Sequence, residues 1–224
     1  MTNFSVTKNG KVLDPSLYNW DEKTKTFSSK EDRLVLYFTD VYGVTFNTDH
    51  FCTFNTGYSC TFNTGSGCTF NTGSNCTFKT GTDCTFLTGS DCTFDTGSYC
   101  AFYTGSYCTF KTGSSCTFKT GSHCTFNTGF SCIFDTGSSC TFDAGYSCAF
   151  NTGYSCTFEV GDNCCLIRND VKGVTEIPTG KKIKLNDYKI AGYTIIEEKI
   201  EVPTCNGKVI EIEGKKYKLV EVKE

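Results

Sequence analysis

The chain has 224 residues, among them 22 glycines, 17 cysteines and only 3 prolines, with a formal net charge of −3. So little proline excludes collagen, and the lack of any apolar run of about 18 residues excludes a membrane-spanning helix. By residue count the charge divides into 0 for residues 1–43, −5 for 44–164 and +2 for 165–224, so no segment is a polybasic binder of nucleic acid or lipid.

The start, "MTNFSVTKNG", lacks the apolar core of a signal peptide, which predicts a cytoplasmic product. Residues 1–43 then read as an N-terminal β cap: "NFSV" and "KVL" flank the turn "KNGK", and "KTKTF" and "RLVLYF" follow as strand-like pieces.

At Val44 an eight-residue clock begins, fifteen octads long and ending at residue 163, with the pattern Cys-Thr-Phe-x-Thr-Gly-Ser-x. The third position is Phe in all fifteen octads, and the first is Cys in fourteen. Alternation of inward Cys, Phe and Thr with outward Thr and a variable residue is the period-2 signature of a short strand; Gly-Ser-x supplies a turn with a residue free to take positive φ. Identical strands joined by identical turns stack most simply as a single-chain parallel β-solenoid over residues 44–164.

One octad makes a ring too narrow for a phenylalanine, so two octads, 16 residues, are expected per coil. That gives about seven and a half coils and a rod of ~36 Å. The predicted core is a pair of ladders, Cys60, Cys68, Cys76, Cys84 and Cys92 with Phe62, Phe70, Phe78, Phe86 and Phe94, in which each Cys lies across from a Phe so that volume is constant along the strand. Stacking residue i on i+16 alternates Lys79, Asp95 and Lys111 and sets Lys119 over Asp135, leaving only Asp143 over Glu159 unfavourable. A triangular coil of 24 residues satisfies the charges equally well; core filling favours the flat one.

After Cys164 the clock stops, and residues 165–224 read as a small C-terminal β module with strand-like pieces "CCLIR", "KKIKL" and "YKIAGYTIIEE". A hairpin is expected in "VIEIEGKKYKLVEV" with Gly214 at its turn.

The octad, with "YNWDEKTKTF" before it and "EIPTGKKIKLNDYKIAGYTIIEEK" after it, resembles uncharacterised octapeptide-repeat solenoid proteins of tailed phages, large viruses and environmental sequences. The resemblance covers most of the chain. It implies a solenoid, association with a virus particle and no assigned activity, and it carries over no catalytic residue.

The residues offer little chemistry. Metal ligands are not clustered, and only Cys164 and Cys165 are adjacent, so neither a metal nor another cofactor is expected. Cysteines stacked ~4.8 Å apart with parallel Cα–Cβ vectors cannot bridge, so they are expected as free thiols. His50 and His123 are too far apart along the rod to activate a nucleophile. Asp83, Asp91, Asp95, Asp135 and Asp143 could supply a carboxylate pair for glycan cleavage, but no octad carries an insertion to build a groove. Outward Tyr99, Tyr103 and Tyr107 are the candidate binding residues for a sugar or protein. An outward Thr in twelve of fifteen octads raises ice binding, although Ala101, Ile133 and Ala149 interrupt it. The sequence therefore predicts a non-enzymatic structural or interaction protein, a rigid spacer with a protein partner at the terminal segments. A glycan-active surface or an ice-binding solenoid are the alternatives, and the oligomeric state stays open.

Overall fold

The structure, a computed structural model, describes residues 4–197 together with the strands at 209–212 and 215–218. Its strands are β1 (Ser5–Lys8), β2 (Lys11–Val12), β3 (Asn19–Asp21), β4 (Thr26–Ser28) and β5 (Leu34–Phe38). One strand per octad follows, from β6 (Thr45–Asn47) and β7 (Thr53–Thr56) to β20 (Thr157–Val160). Then come β21 (Cys165–Arg168), β22 (Val174–Glu176), β23 (Ile183–Leu185) and β24 (Tyr193–Ile195), and β25 (Val209–Ile212) pairs antiparallel with β26 (Lys215–Lys218). That pairing is the expected hairpin; Gly214 lies outside the described residues.

Successive octads alternate between two twelve-stranded sheets, here the β6 sheet and the β7 sheet. Within each sheet the octad strands pair parallel with a step of sixteen: Thr77 with Thr93, Phe78 with Phe94, Lys79 with Asp95. The coil is therefore two octads, and the triangular alternative is excluded. The outward column falls as the spacing predicts, Asp95 beside Lys111 and Lys119 beside Asp135. Asp143 does meet Glu159, but Lys182, just ahead of β23, brings its Nζ within 3.8 Å of Glu159 and offsets the like charge. Asp95→Lys should cost a small, salt-sensitive amount, within about 1 kcal/mol, and a double-mutant cycle should couple it to Lys79 and Lys111 but not to Lys119.

The core corrects one expectation. Phenylalanine does not face cysteine: Phe94 and Phe102, from opposite sheets, meet edge-to-face at 5.2 Å with planes 78° apart, and Phe102 meets Phe110 in the same way. Phe is the middle residue of a three-residue strand, and the two strands of a coil run in opposite directions, so strand centre lies over strand centre. The rings avoid overfilling the core because edge-to-face contact suits the aromatic quadrupole and lets the two columns interleave. Along each column they stack flat, Phe86 on Phe102 at 4.8 Å and 2°.

The cysteines sit at the corners. The Cys100 thiol points at the carbonyls of Ser98 (3.5 Å) and of Gly81 in the preceding coil (3.8 Å), and the same pair of acceptors recurs around Cys108 and Cys116. A small side chain with a weak S–H donor suits a corner lined by turn carbonyls. All sixteen described cysteines are free; fourteen are buried, Cys164 is partly exposed and Cys165 exposed. Burial, the largest influence on Cys164, holds its thiol above the ordinary value. Native-state alkylation of the described cysteines should modify Cys165 first and Cys164 slowly, whereas alkylation in denaturant should modify all seventeen in the chain.

The turn also differs from expectation. Positive φ belongs to the eighth position of every octad, whatever its side chain, as at Phe51 (59°), Asp91 (59°), Tyr99 (60°) and His123 (60°). The glycine at the sixth position is needed for close approach instead. A Cβ on Gly105 would overlap Ser90 Oγ and come within 2.9 Å of the Ser90 backbone nitrogen. That Oγ is itself committed, accepting the Ser106 N–H at 3.1 Å, and the seventh-position serines from Ser66 to Ser122 tie one turn to the next in this way.

The parallel ladder outruns the octads. β4 and β5 form a complete first coil, placing Phe27 beside Phe46 and Leu36 beside Phe54, and β21 adds a last strand with Leu166 beside Phe150. Each sheet thus holds nine parallel strands. At all four ends of the two sheets the next strand is antiparallel: β1 on β5, β3 on β4, β22 on β21 and β23 on β20. Phe4 and Trp20 close the N-terminal end against Phe38, with Phe4 stacked on it at 4.4 Å. At the other end Leu166, Ile183 and Leu185 are buried with Arg168, whose guanidinium donates to Asp170 twice (3.0 and 2.7 Å) and to the carbonyls of Ile190 and Asp187.

Candidate interaction surface

Stacked phenylalanine planes between Phe54 and Phe134 differ by only 2–4° from coil to coil. The sheets consequently carry almost no twist, a state that long side-chain ladders can hold against the ordinary twist of strands. The rod presents two flat faces and two turn edges.

The faces are not alike. Sixteen-residue coils send odd and even octads to different sheets, and every interruption of the outward Thr column, Ala101, Ile133 and Ala149, falls on the β7 sheet. So do the outward apolar fourth-position residues Leu87 and Tyr103, joined by Ile167 on β21. Leu87, Tyr103, Ile133 and Ile167 are about half exposed (47, 49, 55 and 50%). The only octad charges on this face's strands are Lys119 and Asp135, neighbours in register. The β6 sheet instead keeps threonine in register from Thr26 to Thr157, nine coils without a break, beside the column containing Lys79, Asp95, Lys111, Asp143 and Glu159.

The candidate tyrosines are dispersed. Tyr99 occupies the turn leading from the β6 sheet to the β7 sheet, Tyr107 the next turn on the opposite edge, and Tyr103 the β7 face between them. All three are exposed, and Tyr107 stacks on His123 at 4.9 Å. Tyr99 and Tyr107 therefore cannot share one ligand. The carboxylates are equally scattered: Asp83 and Asp91 lie on opposite edges, Asp95 and Asp143 on the β6 face three coils apart, and Asp135 on the β7 face. His50 has a structural task, its Nδ1 accepting the Ser66 N–H at 2.9 Å where other turns use serine.

Among the described residues no group of three or more His, Cys, Asp or Glu is placed to hold a metal ion, and no helix is long and apolar enough to cross a membrane. An open recess of about 570 Å³ lies at the N-terminal end, lined by Leu17, Tyr18, Ser29, Lys30 and Asn47 among others. Sequence reasoning missed the difference between the two faces, although the signal was present: the apolar departures fall in alternate octads.

Comparison with protein-family models, with curated proteins and with solved structures found no match.

Proposed function

We propose that the chain is a non-enzymatic structural or interaction protein in which the solenoid is a rigid spacer and the ends make contacts with a protein partner. The supporting observation is the uninterrupted, nearly untwisted ladder: fifteen octads carry no loop insertion and bring no two of the candidate carboxylates into a cleft. The resemblance of the octad and its flanks to phage and viral repeat proteins favours a virus particle as the setting. The open N-terminal recess offers one place for the contact.

Deleting residues 76–91 removes one whole coil and rejoins Asn75 to Cys92 in phase, shortening the rod by ~4.8 Å. That variant, the intact chain and a chain ending at residue 197, which keeps β23 and β24 over the core, should be screened against polysaccharides and cell surfaces. A spacer predicts no glycan release and binding that survives the coil deletion. Glycan release, or binding lost with the coil but kept by the shortened chain, would overturn it.

A second reading, ice binding, is favoured by one observation: the threonine column of the β6 sheet is flat and unbroken, its interruptions all lying on the other face. The neighbouring charged column weakens this reading, since ionised groups hold their own hydration shells. Thermal hysteresis measured with the intact chain and with Thr93→Lys decides it; no hysteresis removes this reading.

A further inference from the structure

We propose that the β7 face is a self-association surface, on which a second copy of this chain docks antiparallel about a twofold axis lying along the strands between the Lys119 and Asp135 rows.

The argument begins with asymmetry. In a repeat whose outward strand positions are mostly Thr, Asn, Lys, Asp or Glu, the aliphatic, aromatic and small apolar departures gather on one sheet and leave the other untouched. The face that collects them is flat, so a second flat face can follow it for several coils. Its largest apolar side chains are about half exposed, with no other part of the described chain laid over them. Such a row, on a rod with polar residues on its other face, marks a contact surface.

The pattern is also self-complementary. A twofold axis along the strands keeps second positions over second positions and fourth over fourth while reversing the order of coils. Placed between the rows of Lys119 and Asp135, it sets Lys119 over the second copy's Asp135 and the reverse, which pairs the face's only octad charges. One row out, Ala101 meets Ala149, small against small, and Tyr103 meets Asn151. One further, Leu87 meets Ile167 and Thr85 meets Cys165, while at the centre Thr117 meets Ile133. These rows follow from the ladder registers alone. Lys119 is open to such a pair: among the described residues it makes no ion pair within 4.0 Å, and Asp135 accepts from Asn151 Nδ2 at 3.1 Å. The β6 face offers no equivalent, because docking there would desolvate five charges with no apolar contact in return.

Six rows at ~4.8 Å give a contact about 29 Å long and one strand wide, smaller than stable interfaces usually are. The dimer should therefore be weak and concentration-dependent. Sedimentation equilibrium of the intact 24.7 kDa chain from about 5 to 500 µM should show the weight-average mass rising toward twice that value. Lys119→Asp and Asp135→Lys should each weaken association by about tenfold or more, since each places like charges against each other twice across the axis. An equimolar mixture of the two variants should restore it, because an Asp–Asp row then faces a Lys–Lys row. Leu87→Asp should abolish association, and Lys111→Asp on the β6 face should leave it unchanged. A wild-type chain monomeric throughout, a dimer indifferent to the β7-face variants, or a mixture that fails to recover would each overturn the proposal.

Discussion

Phe102→Ala should destabilise the protein by about 3–5 kcal/mol, read as a lowered denaturant midpoint. Phe102 is 1% exposed and touches four other rings: Phe86 and Phe118 stack on it at 4.8 Å, and Phe94 and Phe110 meet it edge-on at 5.2 Å. Truncation leaves a void that four neighbours, each fixed in its own column, cannot collapse to fill. The site lies mid-rod, and in a solenoid each coil contacts only the next, so the loss also weakens communication between the two halves. The transition should broaden as well as shift. A loss below about 1 kcal/mol would mean that the rings do not carry the core.

Arg168→Met should cost a similar amount, about 3–5 kcal/mol, with its effect confined to the C-terminal end. The Arg168 side chain is fully buried and that of Asp170 is 7% exposed; methionine fills the volume but leaves the carboxylate buried without its cation. The local readout is alkylation of Cys156 and Cys164, which should quicken far more than that of Cys100. Burial by itself would raise the Asp170 pKa. The Arg168 hydrogen bond, the Lys189 N–H and the Arg168 charge outweigh it and hold the carboxyl below its usual 3.8. A folded pKa below the unfolded one means that the stabilisation is complete above the usual carboxylate range and is lost as pH falls through the folded value. Wild-type protein should therefore lose stability at this end on acidification below about pH 4, read as a falling denaturant midpoint. Asp170→Asn should be weaker at neutral pH and nearly flat across the same range.

The centre of the fold was legible because its signals are redundant. Alternation named the strands; the outward charges suited sixteen and twenty-four residues per coil alike, and core filling chose sixteen, although the core that fills it pairs Phe with Phe and not Phe with Cys. What misled was symmetry within the strand: Phe sits at its midpoint, and reversing a strand carries a midpoint onto a midpoint, so phenylalanine had to face phenylalanine. The glycine was assigned conformational freedom because turns commonly demand it, but here stacking of backbone on backbone is the stricter demand, and the eighth residue bears the positive φ. The first coil was hidden because Phe27 precedes Phe46 by nineteen residues and Leu36 precedes Phe54 by eighteen, breaking the clock although the register is kept. Arg168 gave no periodic signal, since it replaces the inward threonine only where no further coil follows. The tyrosines could not be grouped from sequence spacing because an eight-residue separation, close along the chain, means opposite edges of the rod.

The alternation of octads between two sheets bears on how such a gene can change length. A repetitive coding sequence gains and loses units by slippage, and any whole octad keeps inward residues inward. Loss of a single octad, however, transposes every downstream residue to the other sheet, moving Ala101, Ile133 and Ala149 among the threonines and turning the C-terminal cap to the opposite side of the rod. Only paired events preserve both faces. A lineage of such rods under selection for either face should vary in length by even numbers of octads, while one in which the faces do not matter should show odd and even lengths alike.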